Sequence, residues 1–138
     1  MLEYVWILLP LAANLAVACV FLVTLRSGNT PLVTVIASIE QGAPLPERLA
    51  RYTRRLTLAW GTVLILLGLA SVLISRTVAW NRALVIVGDS VAILMFYMLE
   101  YAWRILFFPE RRFASPWKLW QLIRQQGGLY RLYRRCLA

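Results

Sequence analysis

Three long apolar runs, separated by polar segments, organise the chain. Residues 4–25 and 56–75 contain no charge, and residues 83–108 form a longer run that Pro109 closes, because proline cannot continue a helix. At 1.5 Å per residue, each run reaches about 30 Å or more as a helix, which matches the hydrocarbon core of a bilayer. The pattern predicts an all-α integral membrane protein with three transmembrane helices in a single domain, 1–138.

The polar loop 26–55 contains a short amphipathic helix. Asn29 or Thr30 is a suitable N-cap, Pro31 fits the first turn, and Gly42 can end the helix. Between them, apolar residues recur at helical spacing: Leu32, Val33, Val35, Ile36 and Ile39. Such a helix can lie in the lipid headgroup region or pack on the other helices, and the sequence leaves both arrangements open.

The C-terminal segment 109–138 repeats this design. Ser115-Pro116 is a second cap-plus-proline start, and Gly127-Gly128 interrupts the helix that follows. Aromatic residues here are interleaved with arginines: Trp117, Trp120, Tyr130, Tyr133, Arg131, Arg134 and Arg135. This mixture is typical of a membrane interface, where rings lie at headgroup depth and guanidinium groups contact phosphates. The segment is therefore predicted to be an amphipathic interfacial tail.

Composition and charge support the same class of protein. The chain is 61% hydrophobic, yet it carries 15 Lys+Arg against 6 Asp+Glu, a formal net charge of +9. A nucleic-acid-binding domain is far less apolar, so no nucleic-acid partner is expected. The basic residues concentrate in 26–55 and 109–138, whereas the turn after the second run has only Arg76 and Arg82. By the positive-inside rule, the N-terminus is outside and the loop and tail are cytoplasmic.

The sequence offers little catalytic chemistry. It contains no histidine, and its two cysteines, Cys19 and Cys136, lie far apart. These facts remove His-based nucleophile pairs and the usual metal sites. No phosphate-binding or dinucleotide-binding glycine motif is present. Neither a cofactor nor a metal is expected, and the interpretation leans away from an enzyme.

The third apolar run carries ionisable residues on one face. Arg82, Asp89, Glu100 and Arg104 fall within a narrow stripe at 100° per residue. Glu100 and Arg104 have the spacing of a helical ion pair, which suits an anchor near the inner interface. Asp89 lies inside the hydrocarbon, where a carboxylate needs a partner. It can form a structural clamp with Asn14 or with a hydroxyl of the second helix, or it can contact a substrate.

Three segments carry a family resemblance: TPLVTVIASIEQG, ARYTRRLTLAWG and LEYAWRILFFPE. They resemble small bacterial inner-membrane proteins whose genes accompany aryl-polyene and xanthomonadin-type pigment biosynthesis. The resemblance implies an accessory subunit in the inner (cytoplasmic) membrane that helps to make, hold or pass on a lipid-linked polyene. Its partners would then include acyl carrier proteins and other biosynthetic enzymes. A condensing activity is excluded for this chain, because such enzymes use histidine partners.

Two functions remain open. The first is a non-catalytic adaptor that recruits an acidic partner, such as an acyl carrier protein, or anionic lipid through its arginines: Arg48, Arg51, Arg54, Arg55, Arg131, Arg134 and Arg135. The alternative is a small transporter of a lipid or hydrophobic substrate, built as a homo-oligomer, with Asp89 and Glu100 lining its path. An enzyme that uses these carboxylates is a third, weaker interpretation. A cavity lined by Asp89 favours the transporter.

Overall fold

The computed structural model describes residues 2–42, 44–77, 82–108, 116–125 and 127–137. All regular structure in these ranges is helical, which confirms the predicted all-α class. The described residues form six helices: α1 (Leu2–Val23), α2 (Leu32–Gln41), α3 (Glu47–Thr77), α4 (Arg82–Phe107), α5 (Pro116–Gln125) and α6 (Gly128–Cys136).

The chain divides into two compact units. The long-helix unit comprises Met1–Cys19 and Gly61–Glu110, and the short-helix unit comprises Val20–Trp60 and Arg111–Ala138. Each unit has its own internal packing. The boundary falls within α1 and α3, so both helices contribute residues to both units.

Within the described residues, two helices are long and apolar enough to cross a membrane. They are Glu47–Ser75 of α3 and Ala83–Phe107 of α4. In α1, the apolar stretch with described side chains is Leu8–Val23, which is shorter than a full span. A third crossing by α1 therefore stays a prediction.

The long-helix unit buries polar side chains and exposes apolar ones. Asn14, Ser71 and Glu100 are each 6% exposed or less, whereas Leu99 and Leu106 are 67% and 74% exposed. Only 6% of the most apolar part of α4 is buried. A helix in water shows the opposite arrangement, because exposed apolar surface is costly there.

The short-helix unit has a small apolar core. It consists of Leu32 and Val35 of α2 with Leu132 and Cys136 of α6, and α5 packs against both helices. The sequence left open whether the amphipathic segments lie on lipid or pack on protein, and here they pack on one another. Cys136 is fully buried in this core.

Helix α5 has a buried side and an exposed side that carries tryptophans. Ile123 is 8% exposed and belongs to the buried side of the helix, whereas Trp117 and Trp120 are 69% and 51% exposed. The helix therefore buries its isoleucine and presents its indole rings outward.

The predicted start of α2 is wrong in its capping residue. Pro31 occupies the N-cap, and it provides no side-chain hydrogen bond. Asn29 instead donates its Nδ2 to the carbonyl oxygen of Val23 at 3.0 Å, and the side chain of Thr30 is exposed. The C-terminal prediction is confirmed, since Gly42 ends α2 in the left-handed conformation with φ of 65°.

Threonine hydroxyls from elsewhere in the short-helix unit cap α2. The N–H of Leu32 donates to Thr24 Oγ1 at 3.0 Å, and the N–H of Val33 donates to Thr57 Oγ1 at 3.3 Å. Both threonines are 0% exposed. Two of the N–H groups that a helix leaves without intrahelical partners are therefore satisfied by residues distant in sequence.

Candidate functional site

Asp89 of α4 is held by an amide from α1. Asn14 Nδ2 donates to Asp89 Oδ1 at 2.9 Å and to Oδ2 at 3.1 Å. Asn14 is 5% exposed, whereas Asp89 is only partly buried. Of the alternatives that the sequence left open for Asp89, the structure shows the contact with Asn14. The amide is neutral, so it orients the carboxylate without balancing its charge.

A glycine in α3 makes room for this contact. A Cβ atom built on Gly68 would lie 3.2 Å from Leu11 Cδ1 and 3.4 Å from Asn14 Cβ. The backbone of α3 therefore approaches α1 closely, as small residues allow between membrane helices. One turn on, Ser71 donates its hydroxyl to the carbonyl oxygen of Gly68 at 2.7 Å. That bond satisfies the hydroxyl hydrogen within α3.

A cavity of about 320 Å³ lies between α3 and α4 beside this pair. Its wall contains Asp89 together with mainly apolar residues: Leu67, Ala70, Ser71, Ile74, Leu84, Val85, Gly88 and Ala92. Among the described residues that line it, this carboxylate is the only ionisable group. Sequence analysis did not find the cavity, because it depends on small residues of two helices meeting at the same level.

The ionisable residues that were predicted to share one stripe of α4 have separate partners in the structure. Glu100 Oε1 accepts a hydrogen bond from Arg104 Nε in a buried ion pair, with side chains 4% and 13% exposed. Glu100 is not among the residues that line the cavity. Asp89 and Glu100 therefore have different partners, and the side chain of Arg82 lies outside the described residues.

The first turns of α3 present the predicted arginines. Arg48, Arg51, Arg54 and Arg55 are all exposed. Arg51 lies 3.9 Å from Glu47 in a solvated ion pair, which contributes little to stability. Arg54 has a structural contact, because its Nη2 donates to the carbonyl oxygen of Leu25 at 3.0 Å.

Helix α6 presents a second group of arginines. Arg131, Arg134 and Arg135 are exposed, whereas Leu132 and Cys136 are buried. Of the chain's 15 Lys+Arg, 12 belong to the short-helix unit, which has only 2 of the 6 acidic residues. The structure thus collects both predicted arginine groups in one strongly basic unit.

Among the described residues, no group of three metal-binding side chains occurs. Comparisons of the chain with models of protein families, with curated proteins and with solved structures find no match.

Proposed function

We propose that this chain is a multi-pass protein of the bacterial inner membrane, with its N-terminus outside and the short-helix unit cytoplasmic. The exposure pattern of the long-helix unit supports this proposal. Among its described residues, Asp89 is bonded to Asn14 and Glu100 to Arg104, while leucines such as Leu99 and Leu106 are exposed. In hydrocarbon, exposed leucines are favourable and polar groups need internal partners.

The exposed face of α3 changes from arginines to leucines along the helix. This change supports a water boundary near the third turn. Arg51 and Arg55 lie on this face at the start of the helix. Leu66, Leu69 and Leu73 continue the same face, and each is 50% exposed or more. From Leu58 to Thr77 the helix extends about 30 Å, the thickness of a hydrocarbon core. The arginines then lie at headgroup level, where their charge is solvated.

The proposed activity is that of a non-catalytic adaptor. The basic surface of the short-helix unit, formed by the exposed arginines of α3 and α6, would recruit an acidic protein to the membrane. An acyl carrier protein is the partner that the family resemblance implies. The observation that carries the proposal is the concentration of 12 basic and 2 acidic residues in this unit. Such a charge accelerates the encounter with an acidic partner.

A small oligomeric transporter is the second candidate. The cavity beside Asp89 favours it. Glu100 gives it less support, because the carboxylate is buried in an ion pair with Arg104. The adaptor needs only a surface that is already exposed in a single chain. A transport path needs several chains, because three helices are too few to enclose one.

In-cell crosslinking followed by purification tests the adaptor. The informative variant is Arg51→Glu/Arg55→Glu, which leaves the contact of Arg54 with Leu25 in place. Arg26→Glu/Arg124→Glu is the matched control, since it changes the net charge equally at two other exposed arginines. We expect the wild type and the control to capture an acyl carrier protein, and the α3 variant to lose about tenfold in capture.

Two outcomes contradict recruitment through α3. Capture that falls equally in both variants indicates a response to net charge alone. Absence of any captured carrier protein from the wild type leaves the arginines as contacts for anionic lipid. Membrane fractionation of each variant confirms that the chain is still inserted.

A further inference from the structure

We infer that the cavity beside Asp89 binds one alkyl chain of an amphiphile whose head group carries a protonated amine. The cavity has an apolar wall from α3 and α4 and one carboxylate on that wall. A site of this kind selects a ligand with an apolar body and one polar end. The inference is independent of the adaptor proposal, which concerns the short-helix unit.

The hydrogen bonding of Asp89 selects the head group. Asn14 uses one nitrogen to reach both carboxylate oxygens, and each oxygen can accept a further hydrogen bond. Because Asn14 is neutral, a cationic donor adds charge balance as well as a hydrogen bond, and such bonds are the strong ones. A fatty acid carries the wrong charge for this position. A long-chain alcohol can donate, but it cannot balance the charge.

The cavity has room for a short alkyl chain. A volume of about 320 Å³ corresponds to roughly ten water-sized units of about 30 Å³ each. An alkyl chain of about that many carbons fits, and each buried methylene contributes about 0.8 kcal/mol in transfer from water. An ammonium group on such a chain can come from a free alkylamine or from a membrane lipid with an amino head group.

Gly88 provides a way to fill the cavity. It lines the wall, and a Cβ atom built on it meets nothing within 4 Å. Gly88→Leu therefore adds a side chain at the cavity wall, and its Cβ atom displaces no neighbour. Val91→Leu is the matched control, because Val91 is exposed on α4 and is not among the lining residues. Asp89→Asn keeps the shape of the cavity and removes the charge.

The test uses full-length protein in phosphatidylcholine nanodiscs with a diazirine-bearing dodecylamine, and mass spectrometry locates the labelled residues. We expect labels on the cavity wall in the wild type and in Val91→Leu, and about a tenfold loss in Gly88→Leu and in Asp89→Asn. Unlabelled dodecylamine should compete about tenfold better than dodecanol or dodecanoate. Circular dichroism of each variant confirms that its helices are intact.

Three results overturn the inference. Labels spread evenly over the exposed face of α4 indicate partition into surrounding lipid only. Unchanged labelling in Gly88→Leu shows that the cavity is not the site, and equal competition by dodecanoate shows that Asp89 does not select the head group. Nanodiscs containing phosphatidylethanolamine distinguish the source of the amine. If the lipid occupies the site, adding it lowers labelling of the wild type. If the site takes only free alkylamines, adding the lipid leaves labelling unchanged.

Discussion

The hydroxyl of Thr24 accepts the backbone N–H of Leu32 at 3.0 Å, so a residue just beyond α1 caps α2. The same hydroxyl donates to the carbonyl oxygen of Phe21 at 2.7 Å. Thr24 is 0% exposed, and both of its hydrogen bonds are therefore shielded from water. This residue joins the end of α1 to the start of α2 through a single oxygen atom.

Thr24→Val should destabilise the short-helix unit by about 1–2 kcal/mol, because the N–H of Leu32 loses its buried acceptor while the side-chain shape is kept. The measurement is an SDS titration in maltoside micelles, followed by circular dichroism. Thr30→Val is the control, since its exposed side chain is the cap that the sequence suggested. It should change stability by less than about 0.5 kcal/mol. Equal losses in the two variants would contradict capping by Thr24.

The residues that cap α2 could not be predicted from the sequence. A conventional N-cap is adjacent to its helix, and Asn29 and Thr30 are the residues that satisfy this rule. The actual acceptors, Thr24 and Thr57, are 8 and 24 positions from the N–H groups they bind. Their pairing depends on how α2 packs on its neighbours. No local pattern contains that information.

The long helices, in contrast, were predictable. The runs 4–25 and 83–108 correspond to α1 at Leu2–Val23 and α4 at Arg82–Phe107, because proline and polar residues limit apolar helices locally. The position of Asp89 within an apolar run indicated that its carboxylate needs a partner, and Asn14 was one of the alternatives. The cavity could not be predicted, since it depends on Gly88 and Ala92 of α4 facing Ala70 of α3.

Removing Asn14 should destabilise the long-helix unit through Asp89. In Asn14→Leu the carboxylate loses its amide donor, and we expect a cost of about 1–2 kcal/mol. Asp89→Leu should cost a similar amount, because the Asn14 amide is then buried without its acceptor. The double variant should recover part of the loss, and an SDS titration measures the coupling of the cycle. Strictly additive losses would show that the hydrogen bond contributes nothing to stability.

The thiol of Cys136 should resist alkylation until high pH. Burial raises the pKa of Cys136 from 9.0 to about 11, so at pH 8 the folded protein holds roughly a hundredfold less thiolate than the unfolded chain. In Cys19→Ser, iodoacetamide modification should be slow and should increase as the pH approaches 11. The same variant unfolded in SDS should titrate near 9.0. Equal rates in the two states would show that Cys136 is accessible.

The same shift predicts a pH effect on stability. The folded protein favours the neutral thiol, so its contribution to stability is fully present below pH 9 and is lost as the pH rises through about 11. Cys136→Ala lacks this group and should show a smaller loss over the same window. Parallel SDS titrations at pH 8 and pH 10 measure the stability of the two proteins. An equal loss of stability in both would contradict a raised pKa of Cys136.

Two glycines should respond to alanine with opposite signs. Gly42 ends α2 at a φ of 65°, a conformation that costs an L-residue about 1 kcal/mol or more. Gly42→Ala should therefore lower stability by about that amount. Gly88 lies inside α4 with open space around its Cβ position, so Gly88→Ala should raise stability by up to about 1 kcal/mol through helix propensity alone. SDS titration of the two variants against the wild type measures both changes. A loss at Gly88 would mean that the cavity wall tolerates no added methyl group, and it would remove Gly88→Leu as a clean probe of the ligand site.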